Sequence, residues 1–347
     1  MTRTMTSKER LLRAFAGGEP DRVPVSPFGL GRIAPDSALA EELIAKTDIL
    51  VDVGCPGDPF AGQAVRTRTE DAPGMTTIVI ETPSGPLTQR IKRTSVTSAT
   101  VEYPFKTTDD VERFLSIPYE PPEVDTAGHD AWVERIGDEG LVLAGICNGV
   151  CLPASWFSPE GFCLAWADMP DVVASLTDLA AQRVNRHVER LCQGGVKAFR
   201  IIGGEYVSVQ LGHAAFAELV TPYDSELVDI IHHYGGVAYY HNHGKVMDYL
   251  PALAELGIDA LDPLEAPPWG DVDLAEARKR AGDKLCFVGN LDDMEVLESL
   301  PLDDVLEMGR ERLSAAGTKA FVLGGTASGT FGERGARAFI ALAEAVR

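Results

Sequence analysis

The chain has 347 residues, of which 45% are hydrophobic and 24% charged, with 52 acidic against 31 basic residues and a formal net charge of −21. These proportions exclude a disordered chain, a coiled coil and a small disulfide-stapled domain. Because so acidic a surface repels phosphate groups, we expect neither nucleic acids nor anionic membranes as partners.

The beginning of the chain, MTRTMTSKERLLRAF, predicts an amphipathic helix rather than a signal peptide. The sequence contains no run of about 18 apolar residues, the length that a membrane-spanning helix needs. Its six cysteines show no paired CxxC spacing. We therefore expect a cytoplasmic protein with reduced thiols.

The first third of the chain predicts a strand within residues 23–29, a helix over 37–46 and a strand over 48–54. Residues that favour strands then flank Pro83-Ser-Gly-Pro86, which predicts a β-hairpin. We therefore expect a small hairpin insertion near residues 76–102.

From residue 141 onward, short apolar runs alternate with helical patterns. The apolar runs cover residues 141–146, 196–202, 237–242, 260–264, 285–290 and 320–325. The helical patterns cover residues 169–192, 214–234, 246–256, 274–281 and 302–315. Several helices end in glycine just before the next run, which is a helix C-cap signal. With the two earlier strands this makes eight βα units, which predict a single (β/α)₈ TIM barrel over residues 1–347.

Catalytic groups of such a barrel lie at the carboxyl ends of the strands and in the loops that follow them. This rule selects Glu205, His241, His243 and Glu265 as catalytic candidates. It also selects a set of candidate substrate-binding residues: Cys147, Asn148, Asp262, Trp269 and Asn290.

The motif Tyr240-His-Asn-His-Gly244 is the sharpest local signal. Since side chains alternate along a strand, His241 and His243 point to one face, where two imidazoles can bind a divalent metal. Glu205, which follows a glycine pair one strand earlier, is the best candidate for a third ligand. The alternatives are a hydrogen-bonded histidine pair, a substrate anchor, and a loop or helix-cap role for Glu205.

A set of segments spread over nearly the whole chain occurs in the order typical of one superfamily. They are Ser7-Lys-Glu-Arg10, Pro20-Asp-Arg-Val-Pro-Val25, Gly204-Glu205, His241-x-His243-Gly244, Gly257-Ile-Asp259, Asp271-Val-Asp-Leu274 and Gly289-Asn290. The sequence thus resembles the uroporphyrinogen decarboxylase superfamily, which holds decarboxylases and zinc-dependent methyltransferases of corrinoid-linked methyl transfer. The resemblance also implies a single (β/α)₈ barrel.

The decarboxylases of this superfamily carry an arginine-rich RQAGRY signature near the first strand. The corresponding stretch here reads Pro27-Phe-Gly-Leu-Gly-Arg-Ile-Ala34, with Arg32 as its only arginine. A substrate with eight carboxylates requires several guanidinium partners. The resemblance is therefore closer to the methyltransferase branch than to true uroporphyrinogen decarboxylase.

The methyltransferase branch carries an H-x-C-G motif and a further cysteine after the last strand, which bind zinc. Here His241 matches the first ligand, His243 replaces the cysteine, and the late cysteine is absent from Thr326-Ala-Ser328. Glu205 matches the upstream glutamate of many members. The resemblance thus implies a zinc site of Glu205, His241 and His243 with one open position for a thiol or water.

The implied activity is methyl transfer between a corrinoid protein, or a methylated small molecule, and a thiol or similar acceptor. A small-molecule substrate and a corrinoid-carrying partner protein follow from that activity. Two alternatives stand beside it: a metal-free decarboxylase and a non-catalytic barrel that binds a ligand. The sequence does not specify the oligomeric state.

Overall fold

The computed structural model describes residues 4–94, 98–326 and 329–346. Within these residues the strands are β1 (Val25–Ser26), β2 (Ile49–Gly54), β3 (Arg66–Ala72), β4 (Met75–Glu81), β5 (Leu87–Arg93), β6 (Ser98–Glu102), β7 (Gly140–Cys147), β8 (Ala198–Ile202), β9 (Val237–His241), β10 (Ala260–Asp262), β11 (Cys286–Leu291) and β12 (Phe321–Gly325). The helices are α1 (Ser7–Phe15), α2 (Ala38–Lys46), α3 (Thr108–Leu115), α4 (Ala127–Ile136), α5 (Cys151–Ala154), α6 (Pro159–Asp168), α7 (Pro170–Gln193), α8 (Glu205–Ser208), α9 (His213–Leu219), α10 (Thr221–His233), α11 (Leu250–Glu255), α12 (Leu274–Ala281), α13 (Leu302–Ala316) and α14 (Glu333–Ala345). A π-helical segment covers Asp293–Leu297.

Eight strands form one parallel sheet in the order β1-β12-β11-β10-β9-β8-β7-β2. An isolated parallel bridge between Phe28 and Leu50 brings the two ends of this sheet together. The chain therefore folds as the single (β/α)₈ barrel that its alternating pattern predicts. All eight predicted barrel strands are confirmed, with ends that shift by a few residues.

The barrel interior and the layer beneath the helices are two separate hydrophobic clusters, as strand alternation requires. On β7, Leu143 belongs to the inner cluster and Val142 to the outer one. Helix α1 contributes Leu11 and Phe15 to the inner cluster, where the rings of Phe15 and Tyr239 lie 5.9 Å apart between centroids. Helix α1 therefore fills the amino-terminal end of the barrel with apolar side chains.

A buried charge cluster fastens α1 to the start of β2. The carboxylate of Asp48, which has no exposed surface, accepts hydrogen bonds of 2.6 Å from Arg10 and of 2.6 Å from Arg22. It also accepts the backbone N–H of Val25 at 3.0 Å, while Arg10 bonds Asp21 at 2.7 Å. Burial of charges at this depth requires such pairing. Through Arg10 and Arg22, two of the superfamily segments thus have a structural role at the start of β2.

The insertion is larger than the predicted hairpin near residues 76–102. The hairpin itself is confirmed as β4 and β5, but β3 and β6 extend it to an antiparallel sheet of four strands. Strand β3 is exposed along its whole length, so its sequence lacks the alternating apolar signal that marks a half-buried strand. This sheet faces the barrel mouth across a cavity of about 490 Å³, lined among others by Gln89 and Tyr206.

Two predicted helices are wrong in extent because of proline. The pattern over 214–234 folds as α9 and α10, with Pro222 in the first turn of α10. The pattern over 246–256 yields only α11, which has Pro251 in its first turn. Proline lacks the N–H that a helix interior needs, so it begins helices rather than continuing them. None of the helices among the described residues is long and apolar enough to span a membrane.

Candidate active site

The two histidines of the HxH motif lie side by side at the carboxyl end of β9. Their rings are perpendicular, with centroids 4.4 Å apart and an interplanar angle of 89°. Asn242, which lies between them in the sequence, points away from both rings, and its Nδ2 donates to Ser208 Oγ at 3.0 Å. The predicted sharing of one face by His241 and His243 is therefore confirmed.

Each imidazole is held by a carboxylate from the carboxyl end of the next strand, β10, or from the loop directly after it. His241 Nδ1 lies 2.9 Å from Asp262 Oδ1, and His243 Nδ1 lies 3.0 Å from Glu265 Oε1. The other oxygen of Glu265 accepts the backbone N–H of Gly244 at 2.7 Å. Nε2 of neither ring bonds to a described residue. With Nδ1–H donating to the carboxylate, Nε2 presents its lone pair, which is the arrangement of a metal-binding imidazole.

The contact with Glu265 has a consequence for the protonation of His243. The hydrogen bond to Glu265 raises the pKa of His243 above its ordinary value of about 6.5, while burial of the ring acts in the opposite direction. Because the pKa in the folded state is raised, this pair stabilises the fold at low pH. The contribution is lost as the pH rises through the folded-state pKa.

We therefore expect Glu265→Gln to lower the pKa of His243. NMR titration of the metal-free protein measures this pKa directly, and the exposed ring of His233 in the same spectra serves as an internal control. A His243 pKa that is the same in both proteins would refute the role assigned to Glu265.

Glu205 occupies the same cavity as His243. It is the first residue of α8, directly after Gly203 and Gly204. The cavity measures about 550 Å³, and Glu205, His243, Glu265 and Trp269 all contribute to its wall. Oε2 of Glu205 is buried and has no hydrogen-bond partner in the described part of the chain. An acceptor left in this state costs free energy unless a ligand satisfies it.

The absence of a side chain at Gly204 allows this loop to approach β9. A Cβ there would lie 2.3 Å from Asn242 Oδ1 and 2.6 Å from Tyr240 Oη. We expect Gly204→Ala to displace Glu205 and to lower the free energy of unfolding by about 1–3 kcal/mol. Denaturant unfolding measures the loss. Gly128→Ala is the matched control, because its Cβ would meet nothing within 4 Å; equal stability of the two variants would contradict the prediction.

The side chains of His241, His243 and Glu205 carry the atom types that bind zinc, but their donor atoms do not converge on one point. Among the residues that the structure describes, no three His, Cys, Asp or Glu side chains stand close enough to hold a metal ion. Two imidazoles with a free Nε2 and a carboxylate with an unsatisfied oxygen are nevertheless the donor types of a catalytic zinc site. Of the stretch Thr326-Ala-Ser328, in which the late cysteine is missing, residues 327 and 328 lie outside the described part.

A buried hydrogen-bonded layer supports the Glu205 loop from below. Asp224 Oδ2 accepts Tyr240 Oη at 2.6 Å and Asn148 Nδ2 at 2.8 Å. Burial raises the pKa of Asp224 to about 6. Asn148 has no exposed surface and its Oδ1 accepts the N–H of Cys151. The structure thus places Asn148, predicted as a substrate contact, in a supporting position.

The remaining predicted substrate contacts differ in their access to the cavity. Trp269 is 58% exposed and stands at the rim. Asn290 is buried, with Nδ2 donating to Leu264 O at 2.9 Å and Oδ1 lacking a partner among the described residues. Cys147 is partly exposed at the end of β7, and its hydrogen bond with the Cys151 thiol lowers the pKa of Cys147 and raises that of Cys151.

Sequence reasoning missed a charged pair inside the barrel. Arg200 Nη1 bonds Asp52 Oδ2 at 3.0 Å, and the Arg200 guanidinium lies 4.7 Å from the centroid of the Phe28 ring. Gly145 makes room for it, since a Cβ there would lie 2.5 Å from Asp52 Oδ1. Burial raises the pKa of Asp52, against the effect of Arg200. An arginine within the apolar run of β8 was the available signal, because such a residue requires a partner.

The comparison with known protein families agrees with this architecture. A profile described as "Uroporphyrinogen decarboxylase (URO-D)" matches residues 152–346, which is more than half of the chain. The chain belongs to the uroporphyrinogen decarboxylase family. It matches no curated protein sequence.

Two solved structures illustrate the fold of this family member. A methyltransferase from Methanosarcina mazei superposes with a TM-score of 0.67 at 15% identity, over 98% of each chain. A B12-independent methionine synthase from Shewanella sp. W3-18-1, in complex with selenomethionine, superposes with a TM-score of 0.52 at 11% identity. That match covers 93% of this chain and 97% of the other. At these identities the two superpositions establish the shared fold.

Proposed function

We propose that this barrel is a zinc-dependent methyltransferase. It would move a methyl group between a corrinoid protein, or a methylated small molecule, and a thiol or similar acceptor. The observation that carries the proposal is the pair of imidazoles with Nδ1 fixed by Asp262 and Glu265, together with the unsatisfied Glu205 in the cavity that His243 also lines. Membership of the family, and the names of the two solved structures with this fold, support methyl transfer as the reaction.

In this proposal His241, His243 and Glu205 would hold the metal. Bound zinc supplies Lewis acidity, which makes a thiol or water at its open position more acidic. Asp262 and Glu265 fix the ring orientations and keep Nδ1 protonated, so that Nε2 remains the donor atom. Gly204 lets the backbone that carries Glu205 approach Tyr240 and Asn242 of the HxH motif. The chain supplies no thiolate among these ligands, which leaves more positive charge on the metal than a cysteine-containing set does.

An assay with methylcobalamin as methyl donor and a small thiol as acceptor tests the activity. We expect thioether formation by the wild-type protein, its loss in His241→Ala, and its retention in His233→Ala, the matched exposed histidine. Thioether formation that is equal in all three proteins would refute a role for the histidine pair in methyl transfer.

Metal-free decarboxylation is a second candidate, and the Asp52–Arg200 pair favours it. The raised pKa of Asp52 suits a proton donor, and the Arg200 guanidinium suits a substrate carboxylate. Under this alternative, carbon dioxide release from a carboxylic substrate would persist in chelator-treated protein and disappear in Asp52→Asn. Methyl transfer by the proposed zinc site would instead be lost in chelator-treated protein.

A further inference from the structure

The cavity that contains His243 is strongly acidic. Four carboxylates line it, from Glu205, Glu265, Asp292 and Glu295, and among the described residues no lysine or arginine does. His243 is the one basic group in the same lining. The cavity therefore carries a negative potential, which favours a cationic ligand and disfavours an anionic one.

Two of these carboxylates are already engaged inside the protein. Glu265 bonds His243 and the backbone of Gly244, whereas Asp292 accepts the N–H groups of Met294 and Glu295. Glu205 and Glu295 form no side-chain hydrogen bond or ion pair with any part of the chain that the structure describes. Oε2 of Glu205 is also shielded from solvent. These two carboxylates are thus the ones left for a ligand, and in the described lining only the His243 ring can offset their charge.

The rim of the same cavity is apolar. Trp269, Met294 and Val209 are 58%, 43% and 59% exposed, and all three line this cavity. An indole face attracts a cation that carries little hydration, and a thioether and a valine methyl pack against apolar groups on that cation. A tryptophan, a thioether and free carboxylates around one cavity are suited to a cation with a methylated surface.

We propose that this cavity binds a methylated organic cation, of the quaternary ammonium class, as the small-molecule substrate. The inference rests on the proposed function in treating the cavity as the active site. Trp269 contacts the methyl groups, Glu295 offsets the positive charge from the rim, and Glu205 does so from the wall when no metal engages it. The polycarboxylate substrate of the decarboxylase branch is excluded here by charge.

Choline and its neutral isostere 3,3-dimethylbutan-1-ol test the proposal, because they have the same shape and differ in charge. Binding is measured by isothermal titration calorimetry on the full chain, both chelator-treated and zinc-loaded. We expect choline to bind about tenfold more tightly than the isostere. Trp269→Ala and Glu295→Gln should each remove most of this preference, whereas Glu311→Gln, a matched exposed glutamate on α13, should keep it.

Equal affinity for the two compounds, or binding of neither, would overturn the proposal. Retention of the preference in Trp269→Ala would also overturn it, since the cation would then bind elsewhere. Zinc content is measured separately on the same samples. A preparation that prefers choline but never holds zinc refutes the metal in the proposed function alone, while zinc-dependent methyl transfer without any preference refutes only this inference.

Discussion

The His241→Ala protein is expected to lose the zinc that the wild-type protein retains when both are purified without added metal. The substitution removes one of three proposed ligands and leaves Asp262 without the imidazole that it orients. Loss of a supporting carboxylate alone typically costs 10- to 100-fold in metal affinity, so about 100-fold or more is expected here. Elemental analysis of the purified proteins measures the difference.

Further variants distinguish a loss of zinc binding from a loss of the folded structure. His243→Ala should lose zinc as well, and His243→Cys, which restores the H-x-C-G pattern of the methyltransferase branch, should keep it. His233→Ala should behave as the wild type. Near-zero zinc in every preparation, the wild type included, would refute the zinc site and leave a metal-free lyase or a ligand-binding barrel as the alternatives.

The Asp48→Ala protein is expected to be about 3–5 kcal/mol less stable than the wild type. The substitution leaves the buried guanidinium of Arg10 with Asp21 as its one carboxylate partner in the described chain and removes the main partner of Arg22. Denaturant unfolding gives the free energy. Glu307→Ala is the control, since its ion pair with Arg310 is exposed on both sides and contributes at most about 1 kcal/mol. A loss of equal size in the two variants would contradict the role of the buried cluster.

The barrel was predictable from the sequence because its signals are local. Glycine-capped helices and short apolar runs repeat from residue 141 onward, and each repeat specifies its own element. Strand β3 was not predictable, since its exposed side chains carry no pattern and it is held by backbone pairing with β4. Pro222 indicates the break between α9 and α10, but the apolar periodicity continues across it and predicts a single helix.

The sequence predicts which residues belong to the candidate site, but it does not predict the hydrogen bonds between them. Strand alternation placed His241 and His243 together, but the bond between His241 and Asp262 depends on the register of β9 with β10, in which these two residues are partners. A single sequence does not contain that register. Asp52 and Arg200 were not predicted because the rule selects the carboxyl ends of the strands and the loops that follow, whereas these two residues lie farther inside β2 and β8.

Helix α1 fills the amino-terminal end of the barrel with apolar side chains, so that the barrel is open at its carboxyl end alone. Leu11 and Phe15 close the amino-terminal end with buried apolar side chains. Every molecule that reacts here must therefore leave by the route through which it entered. A methyl donor and an acceptor would share that route, so that the acceptor has to enter before the donor covers the opening, and the demethylated donor has to depart before the methylated acceptor can leave. Slow release of a tightly held product would then limit turnover more severely than in a channel open at both ends.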